Sequence, residues 1–262
     1  MSSFWHYSAV NVQVFGIPGY IFCSILAFVL SACCFITILS RKKYPVEISV
    51  KRGLFSLLGL FIGARLFGCI SGIYRAIGVR EALTMNTIFH TGIVFYGGLI
   101  GYLTVFYVGI RKTEGQCEGL HVLDLAALVM PLFHGISRIG CFMAGCCYGR
   151  ESDFPISIYY TVLINGTMDT RMRIPIQLIE AGFEIVLFLY LLILVKKENW
   201  KDQHILERYL FCYGMGRFFL EFFRGDEIRG IIHGISFSQV ISIGIILWSI
   251  NKKRKEQKKE VF

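Results

Sequence analysis

The amino-acid sequence predicts an all-α, polytopic membrane protein with seven transmembrane helices. Hydrophobic residues make up 55% of the 262 residues, charged residues only 17%, and the mean hydropathy is +0.58. Soluble domains carry about 45–50% apolar and about 25% charged residues, so an ordinary soluble enzyme is excluded. The scarcity of proline and the lack of an internal repeat also exclude a disordered chain and a solenoid. Residues 1–262 are therefore predicted to form a single integral membrane domain.

The seven helices are predicted from apolar segments close to the ~20 residues that cross a bilayer. In chain order they are Ile17–Ser40, Leu54–Ile73, Gly92–Ile110, Val122–Met143, Leu178–Val195, Ile205–Phe223 and His233–Ile250. An open chain in lipid satisfies its backbone polar groups only as a helix. Residues 1–16 contain no Lys or Arg, so the first segment lacks the basic region of a cleaved signal peptide and is expected to remain.

The orientation follows from the connections between these segments. The 41–53, 111–120 and 196–204 connections and the tail hold 16 of the 27 Lys and Arg residues, including every lysine, whereas the alternate connections hold seven. Because cytoplasmic loops are the basic ones, we predict an extracytoplasmic amino terminus and a cytoplasmic carboxyl terminus. The long 144–177 connection is then extracytoplasmic. The same clustering accounts for the net charge of +9, so no nucleic-acid partner is expected.

The second and third segments are rich in small residues. Glycines surround Arg65 in GLFIGARLFG, and Gly97 and Gly98 follow Tyr96 in FYGGLIG. Small residues at this spacing let helix backbones approach closely. The absent side chains would also leave room for an acyl chain or a lipid headgroup.

The fourth segment ends in the most informative stretch, HGISRIGCFMAGCCYG. Arg138 lies one helical turn after His134, and an arginine at membrane depth costs ~2.5–3.5 kcal/mol to insert, which usually marks a functional site. Cys141, Cys146 and Cys147 follow, without the paired C-x2-C spacing of zinc sites, so no metal or cofactor is expected. Cys141 and Cys146 are candidates for a redox pair or a nucleophile beside a cation, with small packing residues as the alternative.

The sixth segment carries a charged stripe in GRFFLEFFR. Arg217, Glu221 and Arg224 are spaced by four and seven residues, which predicts one face of a continuous helix. The acids at membrane depth or its margin are Asp124, Glu180, Glu184 and Glu221. The alternative to a functional site is an interior ion pair that only fixes helix packing.

These motifs, in order along most of the chain, resemble those of the prolipoprotein diacylglyceryl transferase family. The resemblance lies in GARLFG, FYGGLIG, the stretch that ends GRESDFP, RIPIQLIE and YGMGRFFLEFFRGDE. It implies a multi-pass enzyme of the bacterial cell membrane that transfers diacylglycerol from phosphatidylglycerol to the lipobox cysteine of a prolipoprotein signal peptide. The residues that match the family motifs are Arg65, Arg138, Gly149, Gln177, Glu180, Arg217, Glu221 and Arg224.

The resemblance also implies roles. Arg138 and Arg217 would bind the lipid phosphate and act in catalysis, because guanidinium groups match phosphate oxygens, and Glu221 would orient Arg217. Tyr96 is a further candidate catalytic residue. The other candidate substrate-binding residues are Arg65, Gly97, Gly98, Gly149, Gln177 and Arg224.

The chain departs from the family at four positions. Tyr96 replaces the histidine before GGLIG, Cys141 and Cys146 replace an asparagine and a glutamate, and Ile179 replaces the tyrosine after P-x-Q-L. An ordinary tyrosine is a poor base, so His134 or Glu221 is the candidate for taking the proton of the acceptor thiol in place of the family's histidine. Cys141 and Cys146 are either silent replacements or a disulfide pair. Two other functions stay open: a transferase with a phospholipid donor and another acceptor or cysteine-based chemistry, and an anion or lipid carrier, although the chain lacks a transporter's internal repeat.

Overall fold

The computed structural model of the protein describes residues 6–79, 84, 94–112, 116–164, 166–225, 231–232 and 234–260. Within these ranges, the side chains of residues 78–79, 116–118, 202–203 and 253–260 are not described. Gly92 and His233, the first residues of two predicted segments, lie outside the described residues.

Seven α-helices occur in the described part of the chain. They are α1 (Gly19–Arg41), α2 (Val46–Val79), α3 (Phe95–Arg111), α4 (Gln116–Met143), α5 (Ile176–Lys196), α6 (Ile205–Leu220) and α7 (Phe237–Glu260). Among the described residues, α1, α2, α4 and α5 contain the four stretches that are long and apolar enough to cross a membrane. The protein is therefore mostly helical, with apolar helices typical of membrane proteins.

Most helix boundaries differ by a few residues from the predicted ones, and three of the differences are informative. Helix α2 begins eight residues before Leu54, and α7 continues past Ile250 through the lysine-rich tail to Glu260. Hydropathy detects only the apolar part of a helix, whereas Lys, Glu and Gln extend it because they are good helix formers. Helix α6 ends at Leu220, and a 3₁₀ turn over Glu221–Phe223 follows. The prediction of one regular helix through Phe223 is therefore wrong.

The all-α prediction misses a small sheet. Strand β1 (His6–Ser8) pairs in parallel with β4 (Ile158–Ile164), which pairs antiparallel with β5 (Thr167–Arg173). Two hairpins are also present, β2 (Gln13–Val14) with β3 (Ile17–Pro18) and β6 (Ile231–Ile232) with β7 (Ile235–Ser236). The β4 sequence, IYYTVLI, consists of β-branched, aromatic and aliphatic residues typical of a strand. Much of the predicted 144–177 loop is thus an ordered hairpin.

The described residues fall into two compact units. Unit 1 lies within residues 1–34, 129–193 and 219–226, and unit 2 within residues 35–128, 194–218 and 227–262. In unit 1, Phe142 at the end of α4 stacks on Tyr160 of β4 and on Tyr7 of β1, with ring centroids 5.0 and 4.5 Å apart. This aromatic cluster joins the sheet to the end of α4.

In unit 2, α2 and α3 pack through their glycines. A Cβ atom added at Gly63 would overlap the carbonyl oxygen of Gly97, and one added at Gly59 would lie 2.5 Å from that of Gly101. The two backbones are therefore in contact, and the predicted close approach of these helices is confirmed. Asp124 of α4 also has a structural explanation, because its Oδ1 accepts the backbone N–H of Leu206 at 2.9 Å and caps the start of α6.

Candidate active site

The centre of unit 1 is a buried polar cluster between α4 and α5. The Nε of Arg138 lies 3.0 Å from Oε2 of Glu180 and 3.1 Å from Nε2 of His134. The Nδ1 of His134 lies 2.9 Å from Oε1 of Glu184. None of these four residues is more than 7% exposed. Spacing of four residues puts His134 and Arg138 on one face of α4, and the same spacing puts Glu180 and Glu184 on one face of α5.

The hydrogen bonds in this cluster determine the form of the histidine. A guanidinium group has only donors, so Nε2 of His134 accepts from Arg138. The Nδ1–H of a neutral imidazole then donates to the Glu184 carboxylate. Glu184 therefore orients His134, while Glu180 and His134 together fix the Nε end of Arg138.

Three thiols lie immediately beyond Arg138. The Sγ atoms of Cys141, Cys146 and Cys147 all lie within 4.8 Å of one another, and NH1 of Arg138 lies 3.9 Å from the Cys141 sulfur. All three are free cysteines in this structure. Gly145 and Cys147 have φ values of +69° and +54°, which fold the chain back over the end of α4.

The two thiols in the loop have opposite tendencies to ionise. Hydrogen bonds from the Cys141 and Cys146 thiols, together with the positive charges of Arg224 and Arg138, hold the pKa of Cys147 well below its usual range. Hydrogen bonding to Cys141 and Cys147 raises the pKa of Cys146. Of these two thiols, Cys147 is therefore the one that ionises more readily, which the sequence did not predict.

The backbone at Gly149 is closely approached by two other segments of the chain, at Ile174 and at Arg224. It forms an antiparallel bridge with Arg224, and the backbone N–H of Gly225 donates to the carbonyl of Tyr148 at 2.9 Å. A Cβ atom at residue 149 would overlap the carbonyl oxygen of Ile174. The close backbone approach explains why this position holds glycine.

Glu221 and Gln177, two further predicted site residues, lie near Arg224 and Cys146. The NH1 of Arg224 lies 4.0 Å from Oε2 of Glu221, and both side chains are buried. Gln177 is 1% exposed, and its Nε2 donates to the carbonyl of Cys146 at 2.9 Å. Its Oε1 has no hydrogen-bond partner among the described residues. Burial raises the pKa of nearby Tyr160, whose hydroxyl donates to the carbonyl of Phe142.

The β4–β5 hairpin beside this region is stabilised by an ion-pair network. Asp169 accepts hydrogen bonds from Arg173 and, at 2.7 Å, from Nε of Arg171. Although desolvation opposes ionisation, these two arginines lower the pKa of Asp169 below its ordinary value. The guanidinium carbon of Arg173 also lies 4.4 Å from the centre of the Tyr148 ring. The hairpin is thereby tied to the segment that carries Gly149.

Tyr96 belongs to unit 2 and is 1% exposed. Its hydroxyl lies 2.6 Å from Oγ of Ser242 on α7, and its ring packs edge-on against Tyr213 of α6 with centroids 5.3 Å apart. Since the Ser242 hydroxyl donates its proton to the carbonyl of Ser238, the Tyr96 hydroxyl is the donor in this pair. Gly97 and Gly98 next to it serve the packing of α3 on α2.

The predicted site residues divide between the two units. Unit 1 contains Arg138, Cys141, Cys146, Gly149, Gln177, Glu221 and Arg224, and unit 2 contains Arg65, Tyr96, Gly97, Gly98 and Arg217. Arg217 is 5% exposed, as expected for an interior arginine, whereas Arg65 lies on an exposed part of α2. The contact between His134 and Glu184 was not predicted. The i, i+4 spacing of His134 to Arg138 and of Glu180 to Glu184 predicts a shared helix face within each pair, but not the contact between the two helices.

Unit 1 therefore offers a fixed guanidinium, a second arginine and a set of thiols near Gly149. A guanidinium held on one side by a carboxylate is preorganised to bind an anionic oxygen, including a phosphate. The His134, Glu180 and Glu184 side chains lie close enough together to ligate a metal. In this structure, however, His134 and Glu180 are engaged by Arg138, and Glu184 is engaged by His134.

Comparison with known proteins identifies the family. The family model described as prolipoprotein diacylglyceryl transferase matches residues 7–251. The phosphatidylglycerol–prolipoprotein diacylglyceryl transferase of Clostridium tetani is 30% identical over 254 residues, which cover 94% of this chain and 99% of that protein. Transferase 2 of Clostridium perfringens is 37% identical over 63% of this chain and 64% of its own length. The Chlorobaculum tepidum transferase is 35% identical over 63% of this chain and 57% of its own length. The chain belongs to the prolipoprotein diacylglyceryl transferase family.

Proposed function

We propose that this protein transfers diacylglycerol from phosphatidylglycerol to the lipobox cysteine of prolipoproteins, at the extracytoplasmic face of the bacterial cell membrane. The relatives are named for phosphatidylglycerol and prolipoprotein, and the family match extends over most of the chain. The observation that carries the proposal is Arg138, a buried cation fixed by Glu180 and His134. A cation at membrane depth with this support is suited to the phosphate of a lipid.

In the proposed reaction, the acceptor sulfur attacks the terminal glycerol carbon of the diacylglycerol group. A carbon–sulfur bond forms, the bond from that carbon to the phosphate oxygen breaks, and glycerol phosphate leaves. Arg138 neutralises the charge that develops on the departing phosphate, which is the type of contact that contributes most to such transition states. Arg217, buried in unit 2, is proposed for the same role on the strength of the family resemblance.

The thiol proton needs an acceptor, and we propose Glu221. The Tyr96 hydroxyl donates its proton to Ser242, and a neutral phenol is a poor base. Both ring nitrogens of His134 are engaged, one by Arg138 and the other by Glu184. Glu221 is a carboxylate that is 2% exposed and lies near Arg224.

We further propose seven membrane spans with the amino terminus outside and the carboxyl terminus in the cytoplasm. The lysine clusters support this topology, and it places the Gly149 segment on the extracytoplasmic side. A reporter that is active only in the cytoplasm, fused after Lys255, should give a signal, and one that is active only outside should not. The opposite pattern would reverse the face on which transfer occurs.

The function is tested in a host whose own transferase is depleted. Mass spectrometry of exported lipoproteins should find the diacylglyceryl modification when the wild-type protein is expressed and lose it with Arg138→Ala at equal protein level. Cys141 and Cys146 stand where the family has an asparagine and a glutamate, which favours a different acceptor as the second candidate. That candidate replaces the first if lipoproteins stay unmodified while the protein binds phosphatidylglycerol in an Arg138-dependent way.

A further inference from the structure

The three clustered thiols have no part in the proposed transfer reaction. Cys141 is on the last turn of α4, and Cys146 and Cys147 follow in the connecting segment. Among the described residues, only this group and the buried His134, Glu180 and Glu184 group place three potential metal ligands within 4.8 Å of one another. Arg138 engages His134 and Glu180 of the second group through its Nε, and it contacts Cys141 of the thiol group through NH1.

The backbone holds the three sulfurs in place before any ligand arrives. The N–H of Cys146 donates to the carbonyl of Cys141 at 3.2 Å, and Nε2 of Gln177 donates to the carbonyl of Cys146 at 2.9 Å. The positive φ values of Gly145 and Cys147 close the turn. The buried Tyr160 hydroxyl anchors the end of α4 through the carbonyl of Phe142. Ligand binding therefore requires little ordering of the chain.

The surrounding charge suits thiolates. Arg138 contacts the Cys141 sulfur, and both Arg138 and Arg224 act electrostatically on Cys147. Three thiolates around a monovalent or divalent cation carry a net negative charge, which these two guanidinium groups offset. A thiolate set without carboxylate or imidazole ligands selects soft metals.

We propose that Cys141, Cys146 and Cys147 form a binding site for one thiophilic d¹⁰ ion, Zn²⁺ or Cu⁺. The inference does not depend on the transfer reaction. Metal–sulfur bonds of ~2.3 Å require sulfurs about 4 Å apart, so the observed cluster contracts by less than about 1 Å. The three thiols release their protons to solvent as the ion binds, and no electrons are transferred. Cu⁺ would take the three sulfurs alone, and Zn²⁺ would add a water as its fourth ligand.

Such a site would have a consequence for the neighbouring chemistry. The proposed reaction alkylates a substrate thiol, and the three thiols of the enzyme itself lie close to Arg138, the candidate phosphate-binding residue. A metal ion bound by these thiols would keep them from reacting in place of the substrate. It would also fix the segment that leads into Gly149.

The test uses the full-length protein, purified in detergent, reduced and stripped of metal. Co²⁺, as a probe for Zn²⁺, should produce thiolate-to-cobalt charge-transfer absorption that saturates at one ion per chain and is displaced by Zn²⁺. Competition with a chromophoric Cu⁺ chelator measures the second ion, and the comparison distinguishes Zn²⁺ from Cu⁺. Cys146→Ser and Cys147→Ser should each weaken binding by more than the ~10–100-fold typical of changing an outer-shell partner. Cys212→Ser, which lies outside the cluster, should bind as the wild type does.

Three results would overturn the proposal. One is a reduced wild-type protein that takes up neither ion. Another is equal binding by Cys147→Ser and the wild type, with both folded by thermal unfolding. The third concerns the number of free thiols measured before reduction. If that number is two lower than expected, and a reductant restores it but a chelator does not, two of these cysteines form a disulfide instead of a metal site.

Discussion

Breaking the Arg138–Glu180 pair should separate the catalytic role of Arg138 from its structural role. The two charged groups are 3.0 Å apart, and both side chains are buried. Removing one member of a buried ion pair leaves the other charge uncompensated and costs about 3–5 kcal/mol, whereas replacing both with residues of similar volume is close to neutral. Arg138→Ala should therefore lower the free energy of unfolding strongly, and Arg138→Met combined with Glu180→Gln should restore most of it.

Activity should not follow the same course. Loss of a preorganised charge contact at a reacting centre costs ~10²–10³ in rate, or about 2.7–4 kcal/mol. The stable double variant should thus remain deficient by that factor, and Arg138→Lys, which keeps the charge but loses the planar fork, should be intermediate. The assay is transfer of labelled diacylglycerol from phosphatidylglycerol to a lipobox peptide, with thermal unfolding measured on the same detergent samples. A double variant that transfers within a few-fold of the wild type would show that Arg138 only holds α4 against α5.

Further predictions concern single positions. Tyr96→Phe removes one hydrogen bond, so it should cost about 0.5–1.5 kcal/mol of stability with little loss of transfer activity. Tyr96→His should preserve or increase transfer activity. A large loss of transfer activity in the Phe variant would make the hydroxyl a catalytic group. Gly149→Ala should destabilise the protein by ~1–3 kcal/mol, because the added methyl group overpacks this position. Gly182→Ala is the control, since a Cβ atom there meets nothing within 4 Å. Equal melting temperatures of the two variants would contradict the crowding at residue 149. The pKa of Asp169 is lowered in the folded protein, so its carboxylate stabilises the fold fully above pH 3.8, the ordinary pKa. This stabilisation is lost as the pH falls below 3.8 and passes through the lower pKa of the folded state. Asp169→Asn should remove this acid dependence from thermal unfolding curves.

The sequence predicts the helices well where apolar runs end sharply. The fourth and fifth predicted segments both lie within the observed helices, and α4 ends at Met143 as expected. The β5 strand was not predicted because TMDTRMR is polar, and its hydrogen-bonding partner β4 is what makes it a strand. The end of α6 at Leu220 was missed because the phenylalanines that follow continue the apolar pattern.

The candidate site is only partly readable from the sequence. Helical spacing connects His134 to Arg138 and Glu180 to Glu184, but nothing in one sequence shows that these two pairs face each other. Ser242 lies 146 residues after Tyr96, so its contact with the phenol has no local signal. Long-range contacts of this kind depend on how the helices pack, which hydrophobic periodicity does not specify.

The central claim is tested most directly by the mass and chemistry of the product. Purified wild-type protein would be incubated with phosphatidylglycerol of defined acyl chains and a synthetic lipobox peptide, and the peptide would be analysed by mass spectrometry. We expect the peptide to gain the mass of one diacylglycerol group on its cysteine, in a thioether that survives hydroxylamine, and a Cys→Ser peptide to gain nothing. A peptide that stays unmodified, or that carries a single acyl group which hydroxylamine removes, would contradict the proposed transferase function.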